Sequence, residues 1–343
     1  MKTMKPLIGL VIIILGAAVL LSGGTTYAKT YELSLSLVTP PAHLRNKHVI
    51  LPWIQMLEER SGGKLKVTPY YANALAPFPE QFDAARKGIA DMSEGLVFAT
   101  PGRFPLTETT MLPNLGLDTS INVCKAFWEV YKKFPKVQAE WTQVRLLWVH
   151  SNQPAKLVFR NKEVRTIEGL KGMKISVTGS VTAKVGEALG FTPVAMPMSD
   201  VYLALEKGVL DGAVANSELL VSRRFGEVSQ YLLDNSDMGS STFFVVMNKD
   251  TWNRLPKDLQ KVFDELSGDW GVEFTGKAWD TFKAEAKQKM LAKGYHYINL
   301  APEELAKWNK LVNPVKRQYA ESLDAKGLPG TKVLEALEAY TPK

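Results

Sequence analysis

The chain has 343 residues, 45% of them hydrophobic and 22% charged, with a formal charge of +7. That composition excludes a disordered, collagen-like or disulfide-built protein and leaves room for two domains with separate cores. Lysines and arginines are scattered among acids along helical segments, so the charge reads as a solvated surface and excludes a nucleic-acid partner.

Lys2 and Lys5 precede an unbroken apolar run, Leu7 to Leu21, followed by SGGTTYA with small residues at Thr26 and Ala28. This is the pattern of a secretory signal peptide over residues 1–28, removed after Ala28. The run is about 15 residues long where a bilayer span needs about 20, and a retained anchor is the weaker alternative. No cysteine lies near the cleavage point, which argues against a lipoprotein anchor. Cleavage removes two lysines and no acids, taking the formal charge from +7 to +5. The expected location is periplasmic. Cys124 is the only cysteine, so no internal disulfide can form, and its helical setting in INVCKAFWEV marks it as a buried small apolar residue.

TYELSLSLVTPP alternates apolar and polar residues up to Pro40, which predicts a strand running into a loop. HVILPWIQMLEERSGG carries Ile50, Trp53, Ile54 and Leu57 at helical spacing and stops on Gly62 and Gly63. KLKVTPYY is a second strand, giving the strand, helix, strand order of an α/β domain. A helix near Pro79 to Lys87, a strand through ADMSEGLVF and a loop ATPGRFPLTETTMLPNLG follow, and the loop is placed to line a ligand site. A helix from about Ser120 to Phe134 and a strand VRLLWVHS complete a first lobe.

AKLVFRN, MKISVTG, a helix from Val181 to Leu189, FTPVAMP, a helix capped at Ser199, and GVLDGAVAN repeat the alternation in a second lobe. STFFVVMNKD is a strand expected to return to the first. Pro256 to about Lys293 forms one long helical pattern in which Gly268, Gly271 and Gly276 allow a bend. A short strand YHYINL and helices from Pro302 close the chain. The expected division is residues 29–153 with 242–282 in lobe I, and 154–241 with 283–343 in lobe II.

The chain lacks a G-x-S-x-G elbow, a P-loop, G-x-G-x-x-G, H-E-x-x-H and C-x-x-C. His43, His48, His150 and His296 are too dispersed for a local metal cluster, and no pair of carboxylates stands in a context that marks acid–base work. No cofactor, metal or catalytic residue is implied. A secreted two-lobed α/β chain without catalytic motifs reads as a binding protein.

Five segments carry a family resemblance: LEERSGGKLKV, KGIADM, IEGLKGMKISVTGS, LGFTPVAMPMSDVYLALEKGVLDGA and LPKDLQKVFDEL. Together they resemble the solute-binding proteins of tripartite ATP-independent periplasmic (TRAP) transporters, over nearly the whole mature chain. The resemblance implies an α/β periplasmic binding protein fold of two lobes, a ligand cleft between them and a long helix under both. It also implies capture of one solute for delivery to a membrane permease.

In that family the strand of LKGMKISVTGS usually carries an arginine that forks onto the solute carboxylate, and here the position is Ser176. A serine hydroxyl cannot supply that pair. Three readings stay open. Another cation compensates, with Lys156 where some relatives carry a second basic contact; or the solute lacks a carboxylate; or the vacated space takes a bulkier, aromatic solute. An organic acid is favoured, and among acids an aromatic one over a sugar acid.

In sialic-acid-type relatives an asparagine falls where this chain has Ala215, followed by Asn216, and an aromatic falls at Met198. Phe98, Phe104, Phe243 and Phe244 are candidates to stack on a ring, with core packing as the alternative for each. From the first lobe, Thr39, His43, Glu94 and Arg103 are candidates, with a surface loop as the alternative for His43 and Arg103. An enzyme on a similar scaffold and a sensory subunit without transport role are the competing classes.

Overall fold

A computed structural model describes residues 29–341, so the expected signal peptide lies outside the described residues. The strands are β1 (Tyr31–Ser36), β2 (Leu65–Tyr70), β3 (Met92–Leu96), β4 (Arg145–Ser151), β5 (Lys156–Phe159), β6 (Lys174–Val177), β7 (Thr192–Ala195), β8 (Gly212–Ala215), β9 (Tyr231–Leu233), β10 (Thr242–Met247) and β11 (His296–Ile298). They form a five-stranded sheet in the order β2-β1-β3-β10-β4 and a six-stranded sheet in the order β11-β9-β5-β8-β6-β7. β1, β2 and β3 run parallel, and β10 lies antiparallel between β3 and β4. STFFVVM thus belongs to the first sheet, as its sequence suggested. β9 was not foreseen, because YLL is too short to show an alternation.

Between the sheets the chain passes from β4 to β5 and back from β9 to β10. These two passages pair with each other: Asn152 N donates to Ser241 O (3.2 Å), Ala155 N to Gly239 O (2.7 Å) and Met238 N to Ala155 O (3.0 Å).

The pattern from Pro256 to Lys293 is two helices, Lys257–Glu265 and Gly268–Ala292, separated where Gly268 takes a positive φ of 56°. Gly271 serves a different purpose from bending. A Cβ there would lie 2.7 Å from the Trp148 ring, so its absence lets the helix press onto β4. The 25-residue helix Gly268–Ala292 places Val272 in the core of the first sheet and Met290 in a core of the second, with Trp279 and Phe282 in a small cluster between.

The tail is divided. Trp308 and Val312 on the helix Pro302–Asp324 pack in a second-sheet core, as expected of residues 283–343. Ala320, Leu323, Val333, Leu334 and Leu337 pack in the first-sheet core instead. A helix of 23 residues is about 35 Å long, enough to carry the end of the chain across. The Tyr319 hydroxyl on it lies 2.9 Å from both Pro105 O and Glu108 Oε2 and shares its one proton between them, and Glu140 accepts from Leu106 N (2.7 Å) and Thr107 N (3.0 Å). Much of the loop expected to line a ligand site is therefore clamped from outside.

Candidate functional site

In parallel segments of an α/β sheet, ligands lie beyond the carboxyl ends of the strands. Register places Glu94 and Leu96 of β3, Phe243 of β10 and His150 of β4 on one face of the first sheet: Phe243 opposes Leu96 and His150, and Val245 opposes Glu94. Arg45 is brought to this face by the loop after β1. Asn46 Nδ2 donates to Thr39 O (3.3 Å) and Pro40 O (2.8 Å) while Thr39 Oγ1 donates to Asn46 Oδ1 (3.2 Å), which closes the loop. The chain then winds as a π-helix over Asn46–Ile50.

Arg45 and Glu94, 2% and 0% exposed, meet in a fork: Nε is 2.5 Å from Oε1, and Nη2 donates to Oε2 at 2.9 Å. Only Nη2 to Oε2 is a hydrogen bond; Nε, Oε1 and His150 Nε2 lie close as an ion pair and its neighbour without hydrogen-bond geometry among the described residues. His150 Nδ1 accepts from Trp279 Nε1–H (3.1 Å), so its proton sits on Nε2, 3.4 Å from Glu94 Oε1. Burial pushes the His150 imidazole below its ordinary pKa, and it is neutral. Burial alone would raise Glu94, but Arg45 and His150 outweigh it and hold the carboxyl below the usual range. The guanidinium of Arg45 lies 4.5 Å from the Phe243 ring centroid, and the His150 ring stacks on Phe243 at 4.9 Å.

His43 sits at the edge of this cluster, with Nδ1 accepting from Arg45 N–H (3.2 Å). Burial first, then Arg45 and Arg223, push its imidazole down to about 3, so it is neutral with its proton on Nε2. Arg223 belongs to the second sheet's side, at the end of the helix Ser217–Ser222 that leaves the carboxyl end of β8. That helix also carries Glu218, 2% exposed, on which both Arg45 and Arg223 act. His43, Arg45, Glu218 and Arg223 therefore mark where the two halves meet.

On the second sheet Ser176 pairs with Ala213, Ala213 with Val158, and Ala215 with Lys156. Ser176, Ala213, Ala215 and Lys156 consequently share one face. Ser176 is 4% exposed and Ala215 1%. Lys156 Nζ donates to Ser236 O (2.6 Å); burial pushes its pKa down, opposed by Asp237. Asp237 accepts from Gly239 N (2.8 Å) and Asn114 N (2.9 Å), so the ammonium stands beside the paired passages between the two sheets.

Of the residues singled out from sequence, the structure gathers His43, Glu94 and Phe243 in the first group and Lys156, Ser176 and Ala215 in the second. Thr39 braces the loop. Asn216 Oδ1 is used as the N-cap of the helix Ser217–Ser222, accepting from Leu219 N at 3.2 Å. Met198 packs on a second-sheet core. Phe98 pairs with Phe78 (6.2 Å), and Arg103 binds Gln143 (3.1 Å) and Asp83 (3.3 Å) over the Phe82 ring, so neither joins the two groups. Phe104 and Phe244 are core, packed with Phe82 and Trp141. The helix Val201–Glu206 has no side-chain cap, since Ser199 Oγ turns to Asp200.

Arg45, His150, Trp279, Glu218 and Arg223 were missed. One residue, Leu44, separates His43 from Arg45 in PPAHLRN, but nothing local distinguishes a buried arginine from a solvated one.

The sequence model of the bacterial extracellular solute-binding proteins of family 7 matches residues 35–322. The chain belongs to that family. Its solved neighbours are TRAP solute-binding proteins, two-lobed and periplasmic, and the family consists of solute receptors. The C4-dicarboxylate-binding periplasmic protein DctP of Rhodobacter capsulatus is 24% identical over 94% of this chain and 98% of its own. A TRAP solute-binding protein of Bordetella bronchiseptica, solved with (R)- and (S)-mandelate, is 28% identical with TM-score 0.81, covering 90% of this chain and 98% of its own. A marine metagenome protein specific for aromatic acids, solved with 3-hydroxybenzoate, is 26% identical with TM-score 0.84, covering 90% and 97%. Among the described residues no helix is long and apolar enough to cross a membrane, and no group of three or more His, Cys, Asp or Glu is arranged to hold a metal ion.

Proposed function

We propose that this family member is exported by cleavage of residues 1–28, captures a small organic acid, preferentially aromatic, between its two lobes, and delivers it to a TRAP permease. The observation that carries the reading is Ser176, a small side chain where the family has a clamping arginine, on the same face as the Lys156 ammonium, with Ala213 and Ala215 packed into an apolar core beside them. A serine in place of an arginine leaves width for a ring, and one ammonium in a water-poor cleft suffices to choose an anion. The mandelate and 3-hydroxybenzoate relatives support the aromatic choice, while DctP is a reminder that the family also takes non-aromatic acids. The proposed lobes are residues 29–153 with 242–282 and 154–241 with most of the remainder.

Lys156 already donates to Ser236 O, which favours a second reading, a neutral polar solute. Denaturing the protein as purified and identifying released metabolites by mass spectrometry, followed by thermal-shift screening of carboxylates and neutral analogues, separates the two. An acid that binds wild type and loses about tenfold or more in Lys156→Ala supports the first. Unchanged affinity removes Lys156 as the compensating cation, and binding of neutral analogues alone refutes the acid.

A further inference from the structure

Glu218 lies in the first turn of the helix Ser217–Ser222, where β8 gives out at the edge facing the first lobe. It is 2% exposed, and its Oε1 has no hydrogen-bond partner among the described residues. A buried carboxyl oxygen left without a donor is rare in a folded protein and calls for one from outside the chain. The charged groups that act on it are Arg45, across the lobe boundary, and Arg223, at the end of its own helix; the Ser222 hydroxyl, one turn along, is its other neighbour. Neither arginine forms an ion pair with it among the described residues. Arg45 donates Nη2 to Glu94 and sets Nε against Oε1 as an ion pair, and its Nη1 makes no hydrogen bond among the described residues. Glu218 is thus an acceptor without a donor, within electrostatic reach of a guanidinium that has donor capacity to spare. The long helix Gly268–Ala292 packs behind, with its Lys287 committed to Asp234 (2.6 Å).

The chemistry that completes both is narrow. A second carboxylate on the solute would suit Arg45 and Arg223 but would be tolerated by Glu218 only in its protonated form. An ammonium would suit Glu218 and be repelled by two guanidinium groups. An apolar group would leave every polar atom unmet, which is costly in a buried place. A hydroxyl donates once and accepts, so it serves Glu218 and Arg45 together. It does so whichever protonation state Glu218 adopts, a useful property because burial pushes this carboxyl up.

We propose that Glu218 and Arg45 form a polar subsite at the lobe boundary that binds a hydroxyl of the solute, separate from its carboxylate, and so select hydroxy acids. The inference rests on the organic-acid reading above. Isothermal titration of the full mature chain with matched pairs tests it: benzoate against 3- and 4-hydroxybenzoate, phenylacetate against 3-hydroxyphenylacetate and mandelate, each with the corresponding methoxy compound. Wild type is expected to bind one hydroxy member of a pair about tenfold or more tighter than its parent, with the methoxy compound, which cannot donate, gaining nothing. In Glu218→Ala that ratio falls toward one. Should this variant fail to fold, Glu218→Met serves, since it keeps the side-chain length without an acceptor, and the same fall in the ratio is expected. A wild-type ratio near one for every pair, or a ratio unchanged by the substitution, overturns the subsite while leaving acid binding intact. Failure of wild type to bind any acid overturns the organic-acid reading and the subsite with it.

Discussion

Replacing Glu94 by glutamine tests how the first lobe tolerates a buried charge. Glu94→Gln keeps the side-chain length and an acceptor for His150 Nε2–H, but leaves Arg45 as a cation at 2% exposure without its counter-charge. The charge centres of such a fork are roughly 4 Å apart, and at an effective dielectric near 20 that is about 4 kcal/mol of attraction. Removing one partner of a buried pair costs about 3–5 kcal/mol in measured cases, which agrees. Against a typical stability of about 5–15 kcal/mol the loss is large, on the order of 10 °C in melting temperature. Urea unfolding followed by tryptophan fluorescence reads it, since Trp279 donates directly to the network. The double variant Arg45→Met with Glu94→Gln removes both charges and is expected to recover about 2 kcal/mol relative to the sum of the single changes. A loss below about 1 kcal/mol in Glu94→Gln, or strict additivity, refutes the idea that the pair is a coupled buried unit.

Asn216→Ala removes the cap on Leu219 N and is expected to cost about 1 kcal/mol in denaturant unfolding; a solute affinity loss of tenfold would instead mark Asn216 as a contact. Gly271→Ala drives a Cβ into Trp148 and is expected to destabilise by about 1–3 kcal/mol, visible as a lower urea midpoint; a neutral result would mean the helix shifts freely. His43 has a folded pKa lowered from 6.5 to about 3, so the unfolded chain binds its proton more readily. Its contribution to stability is therefore full above pH 6.5 and lost progressively as pH falls from there toward 3. His43→Gln is expected to flatten that part of the stability profile, and NMR titration showing His43 protonated at pH 6 would contradict its assigned surroundings.

The alternation of apolar residues made most of the first sheet legible, and STFFVVM, read as a strand returning to the first lobe, lies in that sheet. The site was legible only where a family position could be carried over, as at Ser176 and Lys156. The Arg45, Glu94 and His150 constellation comes from the loop after β1, from β3 and from β4. Which side chains share a face there depends on β10, and an all-apolar strand carries no period to reveal its facing. Asn216 illustrates the converse: a polar residue at a crevice edge is equally suited to a helix cap, and only the Leu219 N–H contact decides. How residues 302–337 divide between the two cores was not legible, because composition cannot say how far a helix reaches before it finds a core.

The helix Gly268–Ala292 contributes side chains to the cores of both sheets and to the cluster between them. Each half therefore lacks part of its own interior when the other is disordered. Denaturation of one half strips Val272 or Met290 of its packing and raises the free energy of the other, which welds the two into one cooperative unit.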